Sequence, residues 1–392
     1  MQRRGFMRLV GGGSVAAMVP VVSGCSADLP AEAVAAWAGP SAGLDLRRWA
    51  LSYAILAPSP HNRQPWLADL REPDAITLRV DRERLLPETD PWFRQIMIGQ
   101  GTFIEALTIA LRERGIAPTV TLFPEGEFAP RSVDDRPVAR IAWQSGTAAP
   151  GKDALFAQLL RRRTAKIDYD TTRPVSPRTL DALVAASAQG DVACGSTVDP
   201  VRVAALRTLC LDAARAELLT PRTVMESVRL TRVGPAEISR HRDGISINAP
   251  LLRLVEAVGG FDRSQPPAQG SAGYKQMMDR FEDHSRTAMG FVWLSTPTAR
   301  HAAAGTTRSV EVNAGRAYMR LQLKATELGL QVHPMSQAPE EFVEMRPHYE
   351  KLHALLVGMP AEQCTVQMFC RVGYCAETGH APRRELASIV RA

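Results

Sequence analysis

Apolar residues recur at helical spacing over residues 44–56, and the pattern breaks at Pro58. A stronger amphipathic stretch covers residues 101–114 and stops at Gly115. Residues 76–80, 119–123 and 138–143 read as strands. A Ser, Gly, Ala and Pro loop over 145–151 then marks a boundary. Beyond it the plan recurs. Helices are predicted over 155–163, over 179–187 after the Pro174 and Pro177 breakers, and over 316–328, the last stopped by Gly329. A strand follows over 364–372, and residues 259–273, rich in Gly, Ser, Pro and Gln, predict a mobile surface loop.

The recurrence keeps its register. With Gly101 set on Gly315, Leu107 meets Leu321, Ile109 meets Leu323, Glu113 meets Glu327, Gly115 meets Gly329 and Ile116 meets Leu330. Two amphipathic helices share apolar spacing by necessity, but matching glycines at both ends point to an internal duplication. The expected organisation is a leader over 1–25, a tether over 26–43 rich in Ala, Pro, Gly and Ser, a first half over 44–150 and a second half over 151–392.

The leader changes the picture of where the protein works. Arg3-Arg4-Gly5-Phe6-Met7-Arg8 precedes an uncharged small and apolar stretch over 9–24. That layout is a secretory leader, and the stretch is short for a membrane span. The paired arginines resemble the twin-arginine export signal, whose partner is the twin-arginine translocase. Val22-Ser23-Gly24-Cys25 resembles a lipobox, so Cys25 is a candidate lipid anchor; the other reading is a chance cysteine in a basic leader. The expected location is exported, in the periplasm or cell envelope.

Hydrophobic residues make up 45% of the chain and charged residues 22%, the balance of a globular protein with a sizeable core. Three of the basic residues behind the net charge of +6 lie in the leader, which argues against a nucleic-acid partner. Without Cys25 five cysteines remain, an odd number with no C-x-x-C pair, and the eight histidines form no H-E-x-x-H motif. No metal is expected, and the cysteines read as small buried side chains.

The densest chemistry lies in Ala57-Pro58-Ser59-Pro60-His61-Asn62-Arg63-Gln64-Pro65-Trp66, a proline-stiffened loop with polar tips directly after a buried helix. It resembles the A-P-S-x-x-N-x-Q-P-W signature of the nitroreductase superfamily at every defined position. Arg161-Arg162-Arg163-Thr164-Ala165-Lys166 pairs guanidinium forks with a hydroxyl, which suits a phosphate, and contains one of only five lysines. It resembles the superfamily's R-x-S/T-x-R/K motif. The resemblance implies an FMN cofactor bound by Pro58, Ser59, Asn62 and Gln64. Arg162, Arg163 and Thr164 would hold its phosphate and ribityl chain, and Lys166 the pyrimidine edge of the ring. Pro334-Met335-Ser336-Gln337 resembles the loop that runs along the flavin and offers a backbone N–H to N5. The run from Gly373-Tyr374 to Pro382-Arg383-Arg384 resembles the C-terminal segment that returns Arg383 and Arg384 to the phosphate. Asp90-Pro91-Trp92-Phe93-Arg94-Gln95 also looks like the Acg-like branch, whose members carry two such halves.

Only one site survives in the pattern. Aligning Ala57-Pro58-Ser59 with Ala185-Ala186-Ser187 puts Gly190 opposite Asn62, and no arginine stands near Val34, where the first half would repeat Arg162. The expected fold is α+β, two fused nitroreductase-like halves forming a pseudo-dimer with mixed, mainly antiparallel sheets and one composite FMN site. The implied activity is an FMN-dependent oxidoreductase that passes hydride or electrons to nitroaromatic, quinone or similar small-molecule acceptors. Its electron donor is NAD(P)H, a quinol or a reduced carrier. No Ser-His-Asp triad or carboxylate pair is visible, and no side chain is given a catalytic role, because the flavin carries the redox chemistry. The alternatives are a non-turnover protein that sequesters flavin under a lid, for which 259–273 is the candidate, and a lipid-anchored interaction protein with a dead site.

Overall fold

The structure, a computed structural model, describes residues 29–144, 151–250, 263–298 and 307–391. The leader with Cys25, and residues 145–150 of the predicted boundary loop, lie outside them. Strands β1 (Trp66–Asp69), β2 (Ala75–Val80), β3 (Thr119–Leu122) and β4 (Ala139–Ala142) build the first sheet. Further along the chain come β5 (Ala193–Thr197), β6 (Thr231–Val233), β7 (Ile245–Ile247), β8 (Gly290–Pro297), β9 (Gln331–Pro334), β10 (Cys364–Gly373) and β11 (Val390–Arg391). The first sheet runs β11-β1-β2-β4-β3 and the second β5-β8-β10-β9. Apart from β11, the two sheets have one topology: β1, β2, β3 and β4 correspond to β5, β8, β9 and β10. Every neighbouring pair of these is antiparallel, and only β11 joins β1 in parallel. The α+β class is therefore as expected.

Each sheet is served by a short helix, Leu46–Ala54 in the first half and Pro177–Ala186 in the second, and by a long one, Arg94–Glu113 or Thr307–Glu327. The short helices start on side-chain caps, Asp45 and Ser176, which accept orphan N–H groups of the first turn. The first long helix is buried along nearly its whole length. It crosses the second one where Gly101 meets Gly315. A methyl group on Gly101 would lie 1.9 Å from the Val312 carbonyl oxygen, and one on Gly315 would lie 2.0 Å from that of Ile98. The contact is reciprocal: each glycine faces the carbonyl three residues before the other. Around the crossing, Arg316 and Arg320 reach the buried Glu105 at 2.9 and 3.0 Å, tying the helices at one side. Val312, Met319 and Leu323 of the second helix enter the core of the first sheet.

Four expectations need correction. Both long helices begin earlier than their apolar pattern does, at Arg94 and Thr307. Their aligned glycines therefore sit mid-helix, where close backbone contact offsets the helix penalty of glycine. Asp90 begins the first long helix by accepting the Gln95 and Ile96 amides at 3.1 and 2.9 Å. Residues 155–163 form no α-helix but a 3-10 turn over Ala154–Gln158, after which the chain extends so that Arg162 turns inward. Part of the predicted tether is folded: Ala31–Val34 and Ala35–Ala38 are helical turns, and Trp37 is buried. Lastly, β11 leaves the second half and completes the first sheet. Of the predicted loop 259–273, residues 263–271 are irregular and lead into a helix, Ala272–Arg286.

Between β1 and β2 the chain needs only residues 70–74. Between their counterparts β5 and β8 it makes a long excursion, residues 198–289, through helices Pro200–Leu219 and Pro221–Arg229, the parallel pair β6 and β7, and the helix Ala272–Arg286. Helices Pro221–Arg229 and Ala272–Arg286 meet through Val224, Met225 and Val228 against Tyr274, Met277, Met278 and Phe281.

Candidate functional site

The loop after the first short helix is backbone-strained. His61, Asn62 and Gln64 all take left-handed conformations, with φ of 45°, 51° and 51°. For non-glycine residues this costs about 1–2 kcal/mol each, and it persists only where the surroundings enforce it. They do so from both ends of the chain. Gln64 is fully buried and donates to the Arg242 carbonyl at 2.7 Å, while its Oε1 accepts the Arg384 amide at 2.8 Å. Arg63 pairs with Asp243 at 2.6 Å, and Gly244 donates its amide to the Asn62 carbonyl. Ser59 Oγ accepts the Gln64 amide at 2.9 Å and closes the loop on itself.

Two arginines converge on the start of this loop. Arg162 donates to the Leu56 carbonyl at 2.9 Å and to Thr164 Oγ1 at 3.2 Å. Arg383 donates to the same Leu56 carbonyl at 3.0 Å and to Asn62 Oδ1 at 3.0 Å, while Asn62 Nδ2 donates to the Pro382 carbonyl. Both guanidiniums lie over the Trp37 ring, 5.5 and 4.9 Å from its centroid, and His380 stacks on that ring at 4.2 Å. Trp37 is held by its own Nε1–H on the Ala381 carbonyl. Arg163, next to Arg162 in the chain, is paired instead with the exposed Glu377.

The decisive property is charge. Arg162 and Arg383 are buried, each keeps an Nε with no partner, and neither has a carboxylate among the described residues. Burial pushes the Arg162 guanidinium down to about 10, and burial together with Arg162 pushes Arg383 well below its ordinary value. Burial and then Arg163, Arg162 and Arg383 take His380 down to about 4, so it is neutral at physiological pH. A protein does not bury two cations side by side against carbonyls unless something neutralises them. A phosphate fits that donor set.

Arg384 is a different case. It pairs with Asp81 at 3.1 Å and bonds the Gln64 carbonyl, so its charge is matched and it braces the loop. The reading of Arg384 as a phosphate ligand is thus displaced by a structural one, and the Gln64 side chain is likewise engaged in scaffolding. On the flavin-side loop the Met335 amide is bonded to the Phe369 carbonyl at 2.8 Å and its side chain is buried, which leaves the Ser336 and Gln337 amides as the N–H groups to offer. Pro334 closes β9 beside them.

Lys166 lies where the chain leaves the arginine turn. Its carbonyl meets His284 Nε2 at 3.1 Å, and its side chain is exposed. His61 joins the first-half loop to the excursion, its Nε2 3.0 Å from Ser227 Oγ. Burial, then Lys166 and Arg63, bring His61 down to about 4. Glu217 is buried, and Gln337 and Ser227 oppose the upward push of burial on its carboxyl. The sequence did not single out Trp37, His380, Ser227 or Glu217. A tryptophan in an otherwise small-residue tether was the one available signal.

No family model matches the chain. The Mycobacterium tuberculosis protein Rv3131, provisionally named an NAD(P)H nitroreductase, is 25% identical over 352 residues, covering 88% of this chain and 90% of its own length. Along most of its length the chain is thus similar to a protein named as a nitroreductase. The acg protein of the same organism, also provisionally named an NAD(P)H nitroreductase, is 32% identical over 80 residues, 20% of this chain and 24% of its own. Among solved structures, a nitroreductase with bound FMN from Desulfitobacterium hafniense aligns over 61% of this chain and 98% of that one, at 10% identity and a TM-score of 0.37.

Proposed function

We propose that the protein is an FMN-dependent oxidoreductase with one flavin site per chain, composed from both halves. The observation that carries this is the pair of buried, carboxylate-free arginines, Arg162 and Arg383, set against the carbonyls of the A-P-S loop. They would hold the phosphate, and Arg163 and Thr164 stand at the same turn. Pro58 and Ser59 would form the wall of the flavin pocket, with Asn62 holding Arg383 in place. Lys166 would place its ammonium at the pyrimidine edge, where a cation favours uptake of negative charge by the ring. Ser336 or Gln337 would offer a backbone N–H along the ring. When bound, FMN supplies two-electron transfer between a nicotinamide donor and a small-molecule acceptor, of which nitroaromatics and quinones are the class to test.

The second site is lost with its elements, since Gly190 stands where Asn62 would recur. The shared strand order and the reciprocal Gly101–Gly315 contact support descent of the two halves from one duplicated unit. We further propose that residues 1–25 direct export by the twin-arginine translocase, a route that carries folded and cofactor-loaded cargo, with Cys25 as lipid anchor. Outside the cytoplasm a quinol or reduced carrier would replace the nicotinamide donor.

Release of flavin by denaturation and chromatography tests the site: near one FMN per chain is expected, and two flavins, or FAD, would overturn it. Lys166→Met is expected to keep FMN and lower the flavin potential; an unchanged potential removes Lys166 from the ring edge. Steady-state reduction by donors separates turnover from sequestration. Arg3→Lys/Arg4→Lys is expected to trap FMN-loaded protein in the cytoplasm with Cys25 unmodified, and normal export of that variant would point to the general secretory route.

A further inference from the structure

One histidine of this molecule is held unlike the others. His61, His284 and His353 each commit Nε2 to a neighbour: the Ser227 hydroxyl at 3.0 Å, the Lys166 carbonyl at 3.1 Å and the Val366 amide at 2.9 Å. His333 accepts Arg371 on Nδ1 at 3.0 Å. Among the described histidines, His380 alone keeps a buried ring nitrogen, Nε2, with no partner. A buried polar atom in that state is costly, and native proteins keep few of them.

The company of that atom is informative. The His380 ring lies nearly parallel to Trp37, 12° between the planes and 4.2 Å between the centroids. The Arg383 and Arg162 guanidiniums stand 4.9 and 5.5 Å from the centroid of the same indole, and each also has a buried Nε without a partner. Three such nitrogens therefore gather on one ring. Trp37 is fixed there by the C-terminal run: its Nε1–H donates to the Ala381 carbonyl at 2.9 Å, and the Arg383 amide donates to the Ala33 carbonyl at 2.9 Å. Burial, then Arg163, Arg162 and Arg383, keep the imidazole neutral, so it brings a donor to the arginine pair without a third unmatched cation. Which ring nitrogen carries the proton follows the partner on offer.

We propose that His380 donates from Nε2 to the phosphate that Arg162 and Arg383 hold, and that Trp37 is the positioning residue that keeps the three donors together. This rests on the flavin reading above and adds two residues to it, one from the folded end of the tether and one from the C-terminal run. A phosphate suits the group because its three terminal oxygens can serve two guanidinium forks and an imidazole at once.

Riboflavin, which is FMN without its phosphate, isolates the contact. The full chain, stripped of flavin, is titrated with each flavin by fluorescence quenching, and urea unfolding checks that every variant is folded. Wild type should prefer FMN. His380→Phe keeps a ring on Trp37 and removes the donor; it should weaken FMN roughly tenfold, the scale of one hydrogen bond to a charged group, and leave riboflavin within about twofold. His380→Leu takes its place if the phenylalanine variant does not fold, and His380→Gln, which restores an N–H, should recover part of the loss. Trp37→Leu should weaken FMN more than riboflavin, and Trp37→Phe should restore most of it. Unchanged FMN binding in the donor-less variant, or an equal loss of FMN and riboflavin, overturns the proposal. Arg162→Ala separates that failure from failure of the reading beneath: if Arg162→Ala abolishes the preference for FMN while His380→Phe keeps it, the flavin reading stands and the proposal falls. A wild type that binds neither flavin, or both alike, overturns the flavin reading itself.

Discussion

The two halves share a sheet but not a connection. Where the first half passes from β1 to β2 through residues 70–74, the second passes from β5 to β8 through residues 198–289. The half that carries the A-P-S loop has the short connection, and the half without it has the long one. The excursion is where the loop finds its supports: Arg242 for Gln64, Asp243 for Arg63 and Ser227 for His61. The second half thus lays its long connection against the A-P-S loop of the first. Within the excursion the packing is tight at Gly244, with φ of +75° and a Cβ that would come 2.1 Å from the Leu230 carbonyl oxygen.

The largest expected effect tests whether the asymmetry is chemical. Arg162→Ala or Arg383→Ala should each weaken FMN binding roughly 10- to 100-fold, the loss of one charge-assisted contact. Because each arginine is buried without a carboxylate, the same changes should leave the apoprotein as stable as wild type or more so. Flavin titration and urea unfolding of the apoprotein read the two together; a loss of apoprotein stability would mark the arginines as structural. Next comes the symmetric part. Gly101→Ala and Gly315→Ala should each destabilise by about 2–3 kcal/mol, since a methyl meets backbone rather than a yielding side chain. Unequal losses in chemical unfolding would break the equivalence of the two helices.

A smaller effect lies in the excursion. Burial holds the Glu217 carboxyl up at about 7, above its ordinary value. Between the ordinary range and pH 7 the folded protein keeps a proton that the unfolded chain has released, so stability falls as pH rises through that window. Glu217→Gln should flatten the fall by about 1–3 kcal/mol between pH 5 and 8, and an unchanged slope in urea unfolding would show that Glu217 ionises normally. The smallest effect belongs to the helix ends. Gly115 and Gly329 have φ of +75° and +66° with open space around them, so alanine there should cost only about 1 kcal/mol, measured the same way.

Much of this was legible before any coordinates. The strand after the first long helix follows directly from alternation and turn residues, and the repeat register sets Gly101 on Gly315, the glycine it meets at the helix crossing. The arginine turn and the A-P-S loop do meet, because Arg162 and Leu56 are brought together by the crossing of the halves. What stayed hidden was set by tertiary context. The helix Pro200–Leu219 shows little segregation of apolar and polar residues because its buried face includes Glu217 while Val201 and Leu219 are exposed, so its periodicity is weak. Residues 155–160 carry apolar pairs at a spacing that a 3-10 turn satisfies as well as an α-helix. Arg383 and Arg384 are neighbours in sequence with opposite fates, one facing carbonyls and one facing Asp81, and no local pattern separates them.

The glycine crossing also bears on how small molecules come and go. Two helices whose backbones touch along a reciprocal contact, with Glu105 clamped by Arg316 and Arg320, do not part without breaking the core of both sheets. The seam between the halves is therefore no gate. Motion that lets small molecules come and go is confined within each half, so exchange rates should be indifferent to mild changes at the seam.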